Sequence, residues 1–428
     1  MKTTDNIPQG YKNSPLGIIP QEWEVKKLGD ITEINPSKEE ISSQFVTFLT
    51  MSDVSEHGGV IKENIMPKSS IKPGLTSFKR GDIIIAKITP CFENGKGALL
   101  NNITCEYGFG STEFHVIRYR QCNKFIYYHT MSYAFRKRLE SQMTGSAGQK
   151  RVPADSISSY KIPVPSLSEQ QKIAEILSTW DKAIEKQTQL IEKLELRKKG
   201  LMQQLLTGKK RLPGFSGEWK KVKLGDAAIF LSTNSFSREQ LNSVKGNILN
   251  IHYGDVLVRY SSVLDASKED IPYINEQIEY SPKDYINNGD VIMADTAEDE
   301  MVGRCCEVIN INNIKVVSGL HTILIHPIIQ FAPKYLGYYL NSERYHKQII
   351  SIMQGIKVYS ITKDALKNTT IDIPCIEEQA AIANILSLCD HEILLAKQKL
   401  SKFQWQKKGL MQVLLTGKKR IINNYGKY

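Results

Sequence analysis

The sequence predicts an α+β chain: two mixed α/β blocks separated by two long helices that pair as an antiparallel coiled coil within one chain, with pseudo-two-fold symmetry. Three observations predict it. Lys198 to Arg211 read KKGLMQQLLTGKKR and Lys407 to Arg420 read KKGLMQVLLTGKKR, differing only at Gln204 against Val413, the internal repetition that marks a duplicated unit. Upstream of each copy, apolar residues recur at alternating steps of four and three, the heptad pattern of a narrow helical seam. Between the repeats the halves diverge almost completely, yet both open alike, Glu22-Trp23 then Leu28-Gly29-Asp30 against Glu218-Trp219 then Leu224-Gly225-Asp226. The resulting division is a first block over 1–164, a helix over 165–211, a second block over 212–373, a helix over 374–420 and a tail over 421–428.

In the first block, Gly81-Asp82 leads into Ile83-Ile84-Ile85-Ala86, a turn followed by a short buried strand. Phe114-His115-Val116-Ile117 reads as a later strand, Phe125 to Leu139 has helical spacing, and Gly108-Phe109-Gly110 reads as a turn. The first helix carries the seam Ile173, Leu177, Trp180, Ile184, Gln187, Ile191, Leu194, Lys198, Leu201 and Leu205. Ser168 with Gln171 forms a capping box at its start and Gly208 is a suitable stop. In the second block, Gly289-Asp290 leads into Val291-Ile292-Met293-Ala294, Thr322 to Ile325 reads as a strand, and Tyr335 to Ile350 as helical. Cys305-Cys306 adjoins a strand, where two small half-buried residues fit. The second helix repeats the seam as Ile382, Leu386, Cys389, Ile393, Ala396, Leu400, Phe403, Lys407, Leu410 and Leu414, with Glu377 in place of the capping serine. About 40 residues at ~1.5 Å each make a rod of ~60 Å. Antiparallel pairing would set the two blocks at opposite ends of it, with a symmetry that DNA backbones share.

Composition narrows the function. Of the 428 residues 41% are hydrophobic and mean hydropathy is −0.31, as expected of a globular chain rather than a disordered one. No apolar run approaches the ~18 residues that span a bilayer, and the polar start, Met1 to Asn6, lacks a secretory signal. Seven cysteines, none in a Cys-x-x-Cys pair, argue against a disulfide framework and for a reducing cytoplasm. A net charge of +11 favours a polyanionic partner, with nucleic acid foremost. Catalytic motifs are missing from the sequence: no phosphate-cradling G-x-x-x-x-G-K-[ST], no N-P-P-[FY] or D-P-P-Y, no second histidine after His391-Glu392, and no metal-ligand spacing. The expectation is a chain without catalytic residues, metal or cofactor.

This organisation resembles the DNA-specificity (S) subunit of type I restriction–modification enzymes, over essentially the whole chain. The resemblance is carried by Ile162-Pro163-Val164-Pro165-Ser166-Leu167-Ser168-Glu169-Gln170-Gln171-Lys172-Ile173-Ala174 and the L-L-T-G-K-K-R ends of both repeats. Ile88 to Lys96, Gly110 to Phe114 and Gly148 to Arg151 add to it, as do Asp295 to Asp299 and Ser318 to Thr322. It implies two target-recognition domains, each reading half of a split, asymmetric sequence in double-stranded DNA. It also implies that the helices act as a ruler and as a dock for two modification subunits. S-adenosylmethionine would then reside on those subunits, and ATP with Mg2+ on restriction subunits joined through them. One departure stands out: Ile356-Lys357-Val358 replaces the Gly148-Gln149-Lys150-Arg151 stretch.

Candidate DNA contacts follow from what recognition needs, phosphate grips for position and base-edge contacts for sequence. In the first block they are Lys87, Thr89, Asn94 and Lys96 in one loop, Ser111, Thr112 and Glu113 in a second, and Gln149, Lys150 and Arg151 in a third, the last two suited to phosphate. In the second block Asp295 takes the place of Lys87, Glu298, Asp299 and Glu300 follow, and Arg304 replaces Lys96. His321 belongs to the resembling segment, while Tyr253, Arg259 and Tyr260 are candidates for stacking and phosphate contact. Acidic side chains repel phosphate but accept from a cytosine amino group, so two unlike half-sites are expected. The lysine clusters that end both helices complement the helix dipole without any ligand. Two rival readings remain open from the sequence: a stand-alone nuclease or methyltransferase, and a coiled-coil adaptor without sequence-specific binding.

Overall fold

The computed structural model describes residues 7–146 and 148–421. The N-terminal Met1–Asn6 and the tail after 421 lie outside the described residues. The chain divides into two compact units, one formed by the chain up to Thr188 with the chain from Lys399 onward, the other by Gln189–Gln398. Both long helices therefore contribute to both units.

In the first unit, the antiparallel sheet Glu33–Ile34, Phe114–Arg118, Ile83–Ala86 and Gly97–Leu99 carries the block's central strand, buried along its whole length. The Gly81-Asp82 turn feeds it: Gly81 has φ +92°, a left-handed conformation glycine adopts without Cβ strain. The Asp82 carboxylate caps the turn through the Lys79 N–H (2.8 Å) and takes a two-pronged bond from Arg118 (2.8 Å each). A second four-stranded sheet is ordered Asn64–Pro67, Phe45–Leu49, Tyr107–Gly110, Thr76–Lys79. Gly108 and Gly110 belong to a strand here, not to the expected turn. A Cβ on Gly108 would stand 2.1 Å from the Phe78 ring, and one on Gly110 2.8 Å from the Leu49 carbonyl, so glycine lets the strands close.

The second unit repeats the plan with a larger sheet, Ala228–Leu231, Thr322–Pro327, Val291–Ala294, Cys305–Ile309 and Val263–Asp265, and a smaller one of Leu241–Asn242, Tyr273–Ile274, Leu249–Ile251 and Val316–Ser318. Gly289 has φ +91°, and Asp290 caps its turn as Asp82 does. Cys305 and Cys306 are fully buried within the strand rather than half-buried beside it. Both expected block helices are broken. Asn123–Thr130 is followed by Tyr133–Glu140, and Tyr335–Leu340 by Glu343–Ile352. In each gap a serine, Ser132 or Ser342, accepts the N–H three residues on (3.3 Å in both) and starts a new helix.

The long helices run Leu167–Leu205 and Ile376–Leu414. Ser166, not Ser168, caps the first, accepting from the Glu169 N–H (3.4 Å). The start is fixed by the Gln170 side chain, which donates to the Pro165 carbonyl (3.0 Å); Gln379 donates to Pro374 (2.9 Å) at the second start, which has no serine. None of the seam positions is exposed. The helices pack antiparallel in each unit. In the first, Trp180 meets Phe403 edge-on at 5.7 Å, Lys407 pairs with Asp181, and the Tyr128 hydroxyl donates to Asp181 (2.6 Å). In the second, Lys198 pairs with Asp390 (2.5 Å), to which the Tyr338 hydroxyl donates (2.6 Å). The polar seam lysines are thus neutralised and hydrogen-bonded, which a half-buried ammonium requires.

The faint repeat at the start of each block has its reason here. The Trp23 indole donates to Glu169 (3.0 Å) and Trp219 to Glu378 (3.1 Å), and each carboxylate is forked by an arginine closing the other repeat: Arg420 on Glu169, Arg211 on Glu378. Leu414 and Leu415 join the first unit's core, and Leu205 and Leu206 the second's. Each core is completed by the far end of the other repeat.

Candidate nucleic-acid interface

The three candidate loops of the first unit are brought together by backbone hydrogen bonds. Lys87 N–H donates to the Glu113 carbonyl (2.9 Å), Val152 N–H to the Lys87 carbonyl (2.9 Å) and Thr89 N–H to the Lys150 carbonyl (2.9 Å). Glu113 faces Arg151, which forks its carboxylate (2.9–3.2 Å) and holds it below the usual carboxylate range; Lys87 adds to the effect. Arg151 is thereby an orienter of Glu113, leaving exposed Lys150, Gln149 and Thr112 at the rim. Ser111 accepts the Glu113 N–H (3.2 Å) and shapes that turn. Thr89 donates to Glu93 (2.7 Å) and exposed Asn94 to Glu56 (3.0 Å). Lys96 reaches inward to the Met51 carbonyl (2.9 Å), a strut beneath the loop.

Under the loops lie His115 and Arg136. His115 donates through Nε2 to the Val152 carbonyl (2.8 Å) and accepts at Nδ1 from Asn35 (3.0 Å), while burial pushes its pKa down, keeping it neutral. Arg136 is buried, and donates to the carbonyls of Thr130 (2.8 Å), Phe92 (3.1 Å) and Gly95 (3.3 Å), with its guanidinium 4.8 Å from the Phe92 ring. It is the clamp of the Lys87–Lys96 loop, and sequence reading missed it.

The second unit builds the same frame with different side chains. Asp295 N–H donates to the His321 carbonyl (3.1 Å) and Ile361 N–H to the Asp295 carbonyl (2.9 Å). These bonds place Asp295 where Lys87 stands and His321 where Glu113 stands. Ala294 N–H donates to Arg304 as Ala86 N–H does to Lys96, confirming that pair's match in the backbone. Thr296 pairs with Ser360 and Ala297 with Tyr359, as Ile88 pairs with Arg151, so Tyr359-Ser360 occupy the places of Lys150-Arg151. Ile356-Lys357-Val358 instead forms the tip of a loop that opens at Gly355 (φ +129°), as its counterpart opens at Gly145 (φ +123°). Ile356 is 93% exposed, an apolar tip the sequence reading did not place in the site.

Around this frame His321, with φ +52°, faces Asp295 (3.4 Å) and meets the Tyr253 ring edge-on at 5.3 Å; Thr296 donates to Asp295 (2.7 Å). Arg238, also missed, is forked on Asp255 (2.8 Å each) beside His252, whose pKa burial and then Arg238 lower. Tyr260 is a correction: it is only 2% exposed, its ring in the core, where it cannot stack on a base. Arg259 stays exposed over that ring at 5.6 Å, Arg304 points to the Tyr260 carbonyl (3.4 Å), and Glu298 is exposed. Among the described residues no group of three or more His, Cys, Asp or Glu is placed to hold a metal ion, and no helix is long and apolar enough to cross a membrane.

Two similar sheets bearing one loop frame twice, on helices that complete each other's cores, define a duplicated chain of two like units. The chain belongs to the family of type I restriction modification DNA specificity domains, whose model matches residues 20–196 and again 216–403. It is 39% identical over 179 residues to the type I restriction enzyme EcoAI specificity subunit of Escherichia coli, a match taking in 40% of this chain and 30% of that relative's length. It is 26% identical to the putative type I restriction enzyme MjaX specificity subunit of Methanocaldococcus jannaschii, over 96% of this chain and 97% of that one. In fold it is similar to a chain solved in work on complex assembly and conformational transition of the type I R-M system (TM-score 0.59, 18% identity, 93% of this chain and 99% of that one). It is likewise similar to the type I restriction–modification S subunit from M. genitalium (TM-score 0.53, 13% identity, 97% and 98% covered). Both curated relatives are named as specificity subunits of type I restriction enzymes.

Proposed function

We propose that the chain reads a bipartite, asymmetric sequence in double-stranded DNA, one half through the loops of each unit, and docks two modification subunits and, through them, restriction subunits. The observation that carries this reading is the shared backbone frame with opposed chemistry: Lys87, Glu113 and Arg151 in one unit stand where Asp295, His321 and Ser360 stand in the other. In the first unit Lys87 and Asn94 address purine edges, Lys150 grips phosphate, and Glu113, aimed by Arg151, accepts from a cytosine amino group. In the second, Asp295 accepts, Tyr253 and His321 form one wall, Arg259 grips phosphate, and Ile356 offers apolar contact to a thymine methyl. The repeated helices set the spacing between half-sites. S-adenosylmethionine is carried by the modification subunits, and ATP with Mg2+ by the restriction subunits, in the cytoplasm.

Methylome sequencing of cells with and without this chain tests the reading. A split adenine-methylation motif with two unlike halves should appear only with the chain. Methylation unchanged by its loss would reject it, as would methylation carried out by the purified chain alone. Binding should also weaken steeply with salt, since phosphate contacts release counterions.

A further inference from the structure

The second unit holds an ion pair that its backbone frame does not need. Strand Leu249–Ile251 pairs with Val316–Ser318 as Phe45–Leu49 pairs with Tyr107–Gly110 in the first unit, Ile251 opposite Ser318 and Leu49 opposite Gly110. The residues that follow the two strands therefore correspond: Thr50 with His252, Met51 with Tyr253 and Asp53 with Asp255. Both aspartates are buried. Asp53 is satisfied by neutral donors, the Thr50 N–H and hydroxyl (2.7 Å each) and the Asn64 amide (3.2 Å). Asp255 instead takes Nη1 and Nη2 of Arg238 (2.8 Å each), whose side chain is 53% exposed. Neutral groups suffice at this place in the fold, so the arginine has another use.

Arg238 is held rigidly and joined to the recognition loops. It begins the short turn Arg238–Gln240, where the Gln240 side chain takes the Ser237 N–H (3.0 Å). The carbonyls of Glu239 and Gln240 take the Asn275 amide and N–H (3.1 and 3.0 Å). His252 lies beside Arg238, Tyr253 stands 4.6 Å from His252 and 5.3 Å from His321, and the Tyr253 N–H donates to the Leu320 carbonyl (3.4 Å). The fork on Asp255 decides what Arg238 can bind. The pair carries no net charge, so it attracts phosphate weakly. An end-on fork leaves Nε–H and the outer Nη2 N–H side by side, and among the described residues neither meets an acceptor. Two parallel donors need two adjacent acceptors. In the major groove guanine alone offers them, at O6 and N7, whereas adenine sets its N6 donor beside N7.

We infer that Arg238, braced by Asp255, reads a guanine in the half-site that the second unit addresses. This rests on the reading that each unit addresses one half-site, and it adds to the acceptor at Asp295 a donor pair selective for one base. Asp255 is a positioning residue: it aims the guanidinium before DNA arrives, so little side-chain freedom is lost on binding. Arg259, paired only loosely with exposed Asp270 (3.8 Å), keeps the charge that suits phosphate.

The test is methylome sequencing of cells carrying the full chain with its modification subunits, alongside anisotropy of the complex on duplex DNA. The wild-type motif should hold a G·C pair in the half that the second unit addresses. Arg238→Gln and Arg238→Lys should each lose discrimination at that one position by about ten- to a hundredfold, with every position of the other half kept. Arg238→Gln combined with Asp255→Asn should do the same, and it keeps the test decisive where a buried, unpartnered Asp255 unfolds the unit. Asp255→Asn alone frees the cation, and should relax the same position while raising affinity for unrelated duplex, which loss of a purely structural pair would not do. A motif unchanged in all four variants overturns the assignment and leaves the split-target reading intact. Relaxation at an A·T position, or a uniform loss across the motif with a shallower salt dependence, also overturns it. A wild type that yields no split motif overturns both.

Discussion

Replacing Arg136 with methionine separates the clamp of the first recognition loop from the loop itself. Among the described residues the buried guanidinium pairs with no carboxylate, and desolvation lowers its pKa to about 10. At about 1.4 kcal/mol per pKa unit, keeping it charged costs on the order of 3 kcal/mol. Against this stand its bonds to the carbonyls of Thr130, Phe92 and Gly95. Bonds from a charged donor contribute about 1.5–3 kcal/mol each, and carbonyls left buried without a donor are costly. The bonds outweigh the desolvation, so Arg136→Met should destabilise the first unit by about 2–6 kcal/mol, measured by urea unfolding. Methionine keeps the stem's packing but releases the carbonyls that hold the Phe92–Lys96 turn. Affinity for the first half-site, measured by fluorescence anisotropy, should then fall at least tenfold, with preference at the second half-site unchanged. Full affinity at the first half-site, despite a measurable loss of stability, would refute the clamp.

Two further outcomes follow from packing and titration. His129 is fully buried against the Phe125 ring (4.7 Å), and burial lowers its pKa from 6.5 to about 3. Its depressed folded pKa means that stability is complete above about pH 6.5 and is lost as pH falls toward 3, by up to about 1.4 kcal/mol per pH unit, because only the unfolded chain takes the proton. His129→Phe should flatten that acid slope in urea titrations between pH 4 and 7; an unchanged slope would place its origin elsewhere. Gly108→Ala would set a methyl group against the Phe78 ring and the Thr47 carbonyl. It should cost about 1–3 kcal/mol, read as a lowered melting temperature, and an unchanged melting temperature would show that the strands can part freely.

The helices were legible because a seam of period 3.5 leaves its mark on every turn, and a near-exact repeat shows that one solution is used twice. The central strands were legible for a similar reason, since Gly81-Asp82 and Gly289-Asp290 each announce a turn before four buried residues. The correspondence of Lys87 with Asp295 and of Lys96 with Arg304 followed from that register. What escaped depends on contacts remote in sequence. Arg136 sits in Tyr133–Glu140 among cations of a surface helix, and only folding brings the Phe92 and Gly95 carbonyls to it. Tyr260 looked like a stacking residue beside Arg259, but the packing of Tyr253–Val258 against the sheet turns it inward. Gly108-Phe109-Gly110 suggested a turn, because closeness to Phe78 is invisible in sequence. The paired block helices read as continuous because Ser132 and Ser342 interrupt neither helical spacing nor burial.

The claim that each unit reads its own half of the target is tested most directly by methylome sequencing of two loop variants. Lys87→Ala with Glu113→Gln should relax or abolish specificity in one half of the methylated motif only, and Asp295→Asn with His321→Ala in the other half only. Either variant altering both halves together, or neither altering any position, would contradict it.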